Sequence, residues 1–497
     1  MKKLLLIALL PLLGIGQTQI GADIDGEVAN NWSGYSVSLS ADGNTVAIGA
    51  VFNDDGGLDA GHVRVYENIA GIWTQVGADI DGEASGDQSG YSVSLSADGN
   101  TVAIGAPDND GNGSRSGHVR VYENIAGIWT QVGADIDGEA ANDQSGWSVS
   151  LSADGSLVAI GAPYNDGNEP NSGHVRVYQN INGSWVQIGE DINGDGIIPD
   201  DNSGYSVSLS ADGSVVAVGA PFSDGNQGNS GQVKVYQNIA GTWTQVGVDI
   251  YGEAAGDQIG SCVSLSADGN IVAIGSPYID GNGSRSGQVR VYQNNTGTWT
   301  QVGADINGEA DNDESGWSVS LSGDGNMVAI GARFNSGNGT KSGHVRVYQN
   351  IAGTWIQVGV DIDGEAANDY SGFGVSLSAD DGSSVAIGAF GNDGNGIDSG
   401  HVRVYNISST LSNDSFAQSD FIVYPNPTQG KISINLNDLY DDVTITVTNI
   451  LGQKLKTQEF ESINELVDVQ IDGPHGIYFV NINSSMGDFV PIKIIKN

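Results

Sequence analysis

Between Gly90 and Gly133 apolar and polar residues alternate with a period of two. Tyr91, Val93 and Leu95 take one face and Ser92, Ser94 and Ser96 the other, which is the signature of a half-buried strand. Ala97-Asp98-Gly99-Asn100 reads as a tight hairpin turn. Residues 101–106 alternate again, with Val102 and Ile104 large and Ala103 and Gly105 small. Residues 107–116 are all turn formers. Residues 118–122 predict a third strand, 124–127 a turn, and 128–136 a fourth strand carrying Trp129. An acidic connection, 137–143, leads onward.

This unit recurs seven times. Its anchor glycine falls at Gly34, Gly90, Gly146, Gly204, Gly260, Gly316 and Gly372, at steps of 56 residues and once 58. A second anchor, Gly-His-Val-Arg-Val-Tyr or a close variant, begins at Gly61, Gly117, Gly173, Gly231, Gly287, Gly343 and Gly400. A fixed period sets architecture before any single residue does. Four short antiparallel strands per unit predict an all-β, seven-bladed propeller. Each unit has one large and one small face, so bulky side chains of one blade can fill the shallow face of the next. The seventh unit stops after His401-Val-Arg-Val-Tyr405 and lacks its last strand. Residues 18–24, Thr-Gln-Ile-Gly-Ala-Asp-Ile, match 130–136 and can supply it. Such an N-terminal strand closes a ring and removes two exposed edges.

Ser33-Gly-Tyr-Ser-Val and Ala47-Ile-Gly-Ala50, with Ala103-Ile-Gly-Ala-Pro107 and Ala159-Ile-Gly-Ala-Pro163, resemble the FG-GAP repeats of integrin α-chains and many bacterial surface proteins. The resemblance spans about residues 20–406. It implies a propeller, and in integrin-type repeats a calcium loop between the first two strands. Here that connection is only Ala-Asp-Gly-Asn or a close variant, too short for such a loop.

The formal net charge of −42, from 60 acidic and 18 basic residues, excludes a general nucleic-acid binder. It favours divalent cations or basic partners. Cys262 is the single cysteine; it leaves no intrachain disulfide and reads as a small buried hydrophobe. Lys2, Lys3, the apolar stretch 4–13 and the small, polar exit 14–19 predict a signal peptide over 1–17. That stretch is too short for a transmembrane segment. The propeller is expected over 18–406 and a polar linker over 407–420.

In an antiparallel blade the loop between the second and third strands emerges beside the blade-to-blade connection. Both are long and acidic, holding Asp108, Asp110, Asp135, Asp137, Glu139 and Asp143 in the second unit. This rim is the expected binding surface. The best local calcium candidate is Asp191, Asn193 and Asp195 with Asp200 or Asp201, where oxygen donors alternate before glycine at the single two-residue insertion. His62, His118, His174, His344 and His401 occupy one equivalent position, with Gln232 and Gln288 in the other two units. Interchange with Gln reads as hydrogen-bonding structure. The once-per-unit tryptophans read as packing between blades. Ser261-Cys262, Arg333-Phe334 and Glu169-Pro170 depart from the repeat, and none forms an acid–base or nucleophilic pair by sequence.

From Phe421 the composition changes, and about 77 residues suffice for a small Ig-like β-sandwich. Tyr424-Pro425-Asn426-Pro427 with Gly430, then Asn449-Ile-Leu-Gly452, Gly476-Ile-Tyr478 and Lys493-Ile-Ile-Lys496 resemble the type A sorting domain of the type IX secretion system. That implies export by the type IX machinery of a Bacteroidota-like bacterium, to the medium or the cell surface. The resulting expectation is an exported binding or adhesion propeller with an extracellular glycan or protein ligand. The alternatives are a secreted polysaccharide-acting enzyme on the same scaffold and a calcium-braced surface protein.

Overall fold

In the computed structural model the chain divides into two compact units, residues 1–409 and 410–497. The structure describes residues 17–195 and 200–407 of the first unit. In the second it describes 422–424, 428–435, 440–449, 454–463, 466–471, 473–484, 487–488 and 492–496. The expected signal peptide, apart from Gln17, and the expected linker, apart from Ile407, lie outside the described residues.

Seven antiparallel sheets make a seven-bladed propeller, each with the predicted order of strands. In blade two these are Ser92–Leu95, Thr101–Ala106, His118–Ile125 and Ile128–Gln131. The first strand is innermost, and the inner faces of neighbouring blades mesh there. Leu95 N donates to Ser38 Oγ at 2.9 Å, and Ser92 Oγ donates to Gly146 O at 2.8 Å. Between blades, Val63, Val65 and Ile80 of blade one pack on Val93, Leu95, Val102 and Ile104 of blade two. Their burial is the main stabilising term.

The fourth strand differs from its sequence expectation. Residues 128–136 do not form one strand; Ile128–Gln131 and Ile136–Asp137 pair separately with the long third strand. The break falls at Gly133, whose φ is +77°. A Cβ there would stand 2.8 Å from Gly183 O and 3.2 Å from Trp185 Cδ1 of the next blade. Glycine lets the chain step aside for that indole, and the step delivers Asp135 beside His118.

The tryptophans sit on the seams. Trp129 Nε1 donates to Val76 O and Trp185 Nε1 to Val132 O, both at 2.8 Å, and every other outer-strand tryptophan repeats the bond. The arginines do likewise: Arg120 Nη2 donates to Asp81 O at 2.7 Å while its guanidinium covers Tyr122.

Closure is as the sequence implies. Thr18–Gln19 pairs with Asn406 and Tyr405, and Ile24–Asp25 with Val402 and His401. Gln17 stands at the tryptophan position and makes the same seam bond, its Nε2 donating to Val358 O at 2.9 Å. The described part of the C-terminal unit holds two sheets around Ile432, Ile434, Val443, Ile445, Val469, Tyr478 and Ile494.

Candidate functional site

The residue after each anchor glycine opens the innermost strand on the long-loop face. In order these are Tyr35, Tyr91, Trp147, Tyr205, Ser261, Trp317 and Phe373. Their rings form an aromatic circle at the mouth of the propeller axis. Neighbouring centroids lie 5.1 Å apart for Tyr35–Tyr91, 4.7 Å for Tyr91–Trp147 and 5.4 Å for Trp147–Tyr205. Trp317–Phe373 at 5.5 Å and Phe373–Tyr35 at 4.7 Å complete the circle except at Ser261. A second tier backs it, with Tyr164 5.6 Å from Trp147 and Phe390 4.8 Å from Phe373. Burial pushes the Tyr35 and Tyr91 phenols up, so both stay neutral. Sequence patterning alone reads these aromatics as ordinary strand alternation. A signal is nonetheless present: six aromatics directly after the anchor glycine, and one serine.

Arg333 stands beside that gap, at a position that is proline in blades two to five. Its guanidinium lies over Trp317, 3.1 Å from the ring centroid. Nε and Nη2 donate to Glu314 Oε2 at 3.0 and 2.8 Å. Glu314 is buried and takes the place of Gln88, Gln144 and Gln258. The mouth is therefore asymmetric, with an ion pair set into an aromatic wall. Ser261 Oγ turns away to donate to Gln258 O at 2.8 Å. Cys262 packs against Val319, and burial pushes its thiol up to about 11.

Much of the acidic rim is already engaged. Asp143 is buried and accepts from Ala140 N and Asn165 Nδ2 at 3.0 and 2.9 Å. Asp110 accepts from Arg115 N and Asp108 from Arg115 Nε. Glu139 faces Arg176, 3.5 Å away, and His174, 3.9 Å away. The short hairpin turns use their carboxylates too. Partial burial works against ionisation of Asp98, yet bonds from Ser96 and Asn100 hold its carboxyl below the usual range.

The five histidines are buried at the start of the third strand, each facing carboxylates across a seam. His174 Nδ1 stands 4.0 Å from Asp191 Oδ2, and His344 Nδ1 3.8 Å from Asp361 Oδ2. Burial lowers both imidazoles to about 4, the neighbouring arginines adding to it. Where glutamine replaces histidine the contact closes: Gln232 Nε2 donates to Asp249 Oδ2 at 2.6 Å and Gln288 Nε2 to Asp305 Oδ2 at 3.0 Å.

The candidate calcium residues are divided among different partners. Asp191 accepts from Gln187 Nε2 and faces His174. Asn193 belongs to the short strand Ile192–Asn193 paired with the third strand at His174. Asp195 pairs with Lys234 of the next blade and accepts from Gln232. Asp200 accepts from Asn171 at 2.7 Å. Asp201 is buried beside Asp195 and Lys234, and burial with the Asp195 charge raises its carboxyl to about 6. Residues 196–199 are outside the described residues.

Of the sorting-motif residues, Tyr424 ends the strand Ile422–Tyr424 and Gly430 precedes Lys431–Asn435. Gly476 and Tyr478 lie in Gly476–Ser484, and Lys493 and Lys496 in Ile492–Lys496, which pairs with it. Tyr478 Oη donates to Pro474 O at 2.6 Å, and Lys496 Nζ to Ile471 O at 2.9 Å. Pro425, Asn426, Pro427 and Gly452 lie outside the described residues. Among those described, no helix is long and apolar enough to cross a membrane.

The secretion system C-terminal sorting domain family matches residues 422–497, and the FG-GAP repeat family matches 78–122, 135–178 and 307–348. No curated protein matches the chain. Among solved structures, U3-55K is 13% identical, covering 78% of this chain and 100% of that one with a TM-score of 0.49. Raptor from Chaetomium thermophilum is 10% identical, covering 79% of this chain and 29% of that one with a TM-score of 0.47. The chain is thus a seven-bladed propeller carrying FG-GAP repeats, and it ends in a type IX sorting domain that directs it to the cell surface or the medium.

Proposed function

We propose that the long-loop face is a binding surface, used in adhesion or matrix interaction, with the aromatic mouth as its recognition point and a glycan as the favoured ligand class. The observation that carries this reading is the aromatic circle interrupted at Ser261 and flanked by the Arg333–Glu314 pair. Sugar faces stack on aromatic rings, and the surrounding rim supplies donors and acceptors for hydroxyl groups. The export address supports the reading, because an exported surface meets extracellular polymers.

A glycan and protein array probed with the full chain, with and without calcium, tests this. The expected result is a glycan-class signal that Trp147→Ala removes. Blank arrays together with turnover of a polymer would favour the enzymatic alternative. Glu314 is a poor general acid for such a reaction, since Arg333 already engages its carboxylate through two donors. The calcium arm also bears on Asp191 to Asp201, where Lys234 competes with any ion for Asp195.

A further inference from the structure

Blade one carries a departure of its own on the long-loop face. Asp55 stands where the six other blades have glycine, Gly111 in blade two. It joins Glu27, which follows the closing strand, and His62 and Asp79 of blade one. One ligand atom from each of the four lies within 4.8 Å of the others.

His62 is the second, independent sign. Its side chain is completely buried, and neither ring nitrogen has a hydrogen-bond partner. Nδ1 faces Asp79 Oδ2 at 3.8 Å, too far for a hydrogen bond. Two donors about 2.1 Å from one cation stand roughly 3–4 Å apart. Leaving a buried imidazole unpaired is costly unless something else satisfies it. Blades four and five show the other solution, in which a glutamine amide donates directly to the equivalent aspartate.

We propose that Glu27, Asp55, His62 and Asp79 bind one divalent transition-metal cation, with Zn2+ the best match to one imidazole and three carboxylates. Imidazole selects against calcium and magnesium, which take oxygen. Neither ring nitrogen of His62 is engaged by the protein, so a lone pair is available to a cation. Arg64 Nη2 donates to Asp25 O at 2.8 Å, and its Nη1 forms an ion pair with Glu27 Oε1 at 3.7 Å, so a cation would share Glu27 with Arg64. The four donors come from both sides of the closure seam, so the cation would fasten the N-terminal segment to blade one.

The test is a zinc titration of the full chain, stripped with chelator and held in excess calcium. One tight zinc per chain is expected. Asp55→Gly and His62→Gln should each weaken it by more than about tenfold, while His118→Gln should leave it unchanged. Both replacements are residues that sister blades carry at the same position, so folding is preserved, and circular dichroism checks this. Absence of a tight zinc in the wild type, or equal affinity in both variants, overturns the proposal. Cobalt(II) on the wild-type chain gives a reading independent of any variant: imidazole proton resonances shifted by the metal support it, and their absence overturns it.

Discussion

Blades one to three and blades four and five share a backbone but not a chemistry. In the first group the seam carries histidine, arginine and glutamate, the mouth carries an aromatic ring, and the connection's buried aspartate meets an asparagine where blades two and three meet, Asp143 with Asn165. In the second group these break down, whereas blade six keeps His344, Arg346, Glu309 and Asn335. In blade four Gln232, Lys234 and Asp195 replace the seam set and Ser223 the asparagine; in blade five Gln288 replaces the histidine, Ile279 the asparagine and Ser261 the aromatic; at the entry to blade six Glu314 with Arg333 replaces glutamine and proline. These departures gather in neighbouring blades on one face, while Asp55, Glu169-Pro170 and Tyr370 lie elsewhere on the ring. Repeated residues hold the ring, and the sector where they change is where selection for a ligand has room to act.

The largest effect should come from the shared framework. Deleting residues 18–24 removes the pairing of Thr18–Gln19 and Ile24–Asp25 with blade seven and exposes an edge. A fall in melting temperature on the order of 10 °C is expected, with aggregation, and thermal unfolding followed by circular dichroism checks it. Deleting residues 421–497 should do the opposite. The propeller should melt as before, because its closing bonds lie within residues 17–407, while the protein accumulates in the periplasm of a type IX-competent host.

A smaller effect separates the sectors by pH. Asp201, with Ser223 in place of an asparagine amide, titrates near 6 in the folded protein, above its unfolded value. Its contribution to stability is full below about pH 4 and is lost as pH rises through 6. Asp201→Asn should flatten that loss between pH 4 and 7, and Ser223→Asn should reduce it. Denaturant melts at both pH values measure the difference; parallel curves for wild type and variant would remove Asp201 from the account.

The ring, its closure strand and the sorting tail are legible in the sequence because each is a pattern repeated or ordered along the chain. The aromatic mouth is not, because period-two alternation says which face a side chain takes but not how near the axis it lies. The histidines read as spacers because glutamine replaces them. Only the distances show that the glutamines reach their aspartates and that the histidines do not. Asp191 and Asp195 look like one loop in sequence. The pairing of Ile192–Asn193 with the third strand sends one toward His174 and the other toward Lys234.

The most direct test returns the mouth to its regular form. Arg333→Pro alone would leave Glu314 buried and unpaired, at a cost of about 3–5 kcal/mol, so the variant combines Glu314→Gln, Arg333→Pro and Ser261→Tyr, all residues the other blades carry. Its array profile is compared with that of the wild type. The account predicts an unchanged melting temperature and loss of the glycan signal; a regularised propeller that binds as the wild type does would contradict it.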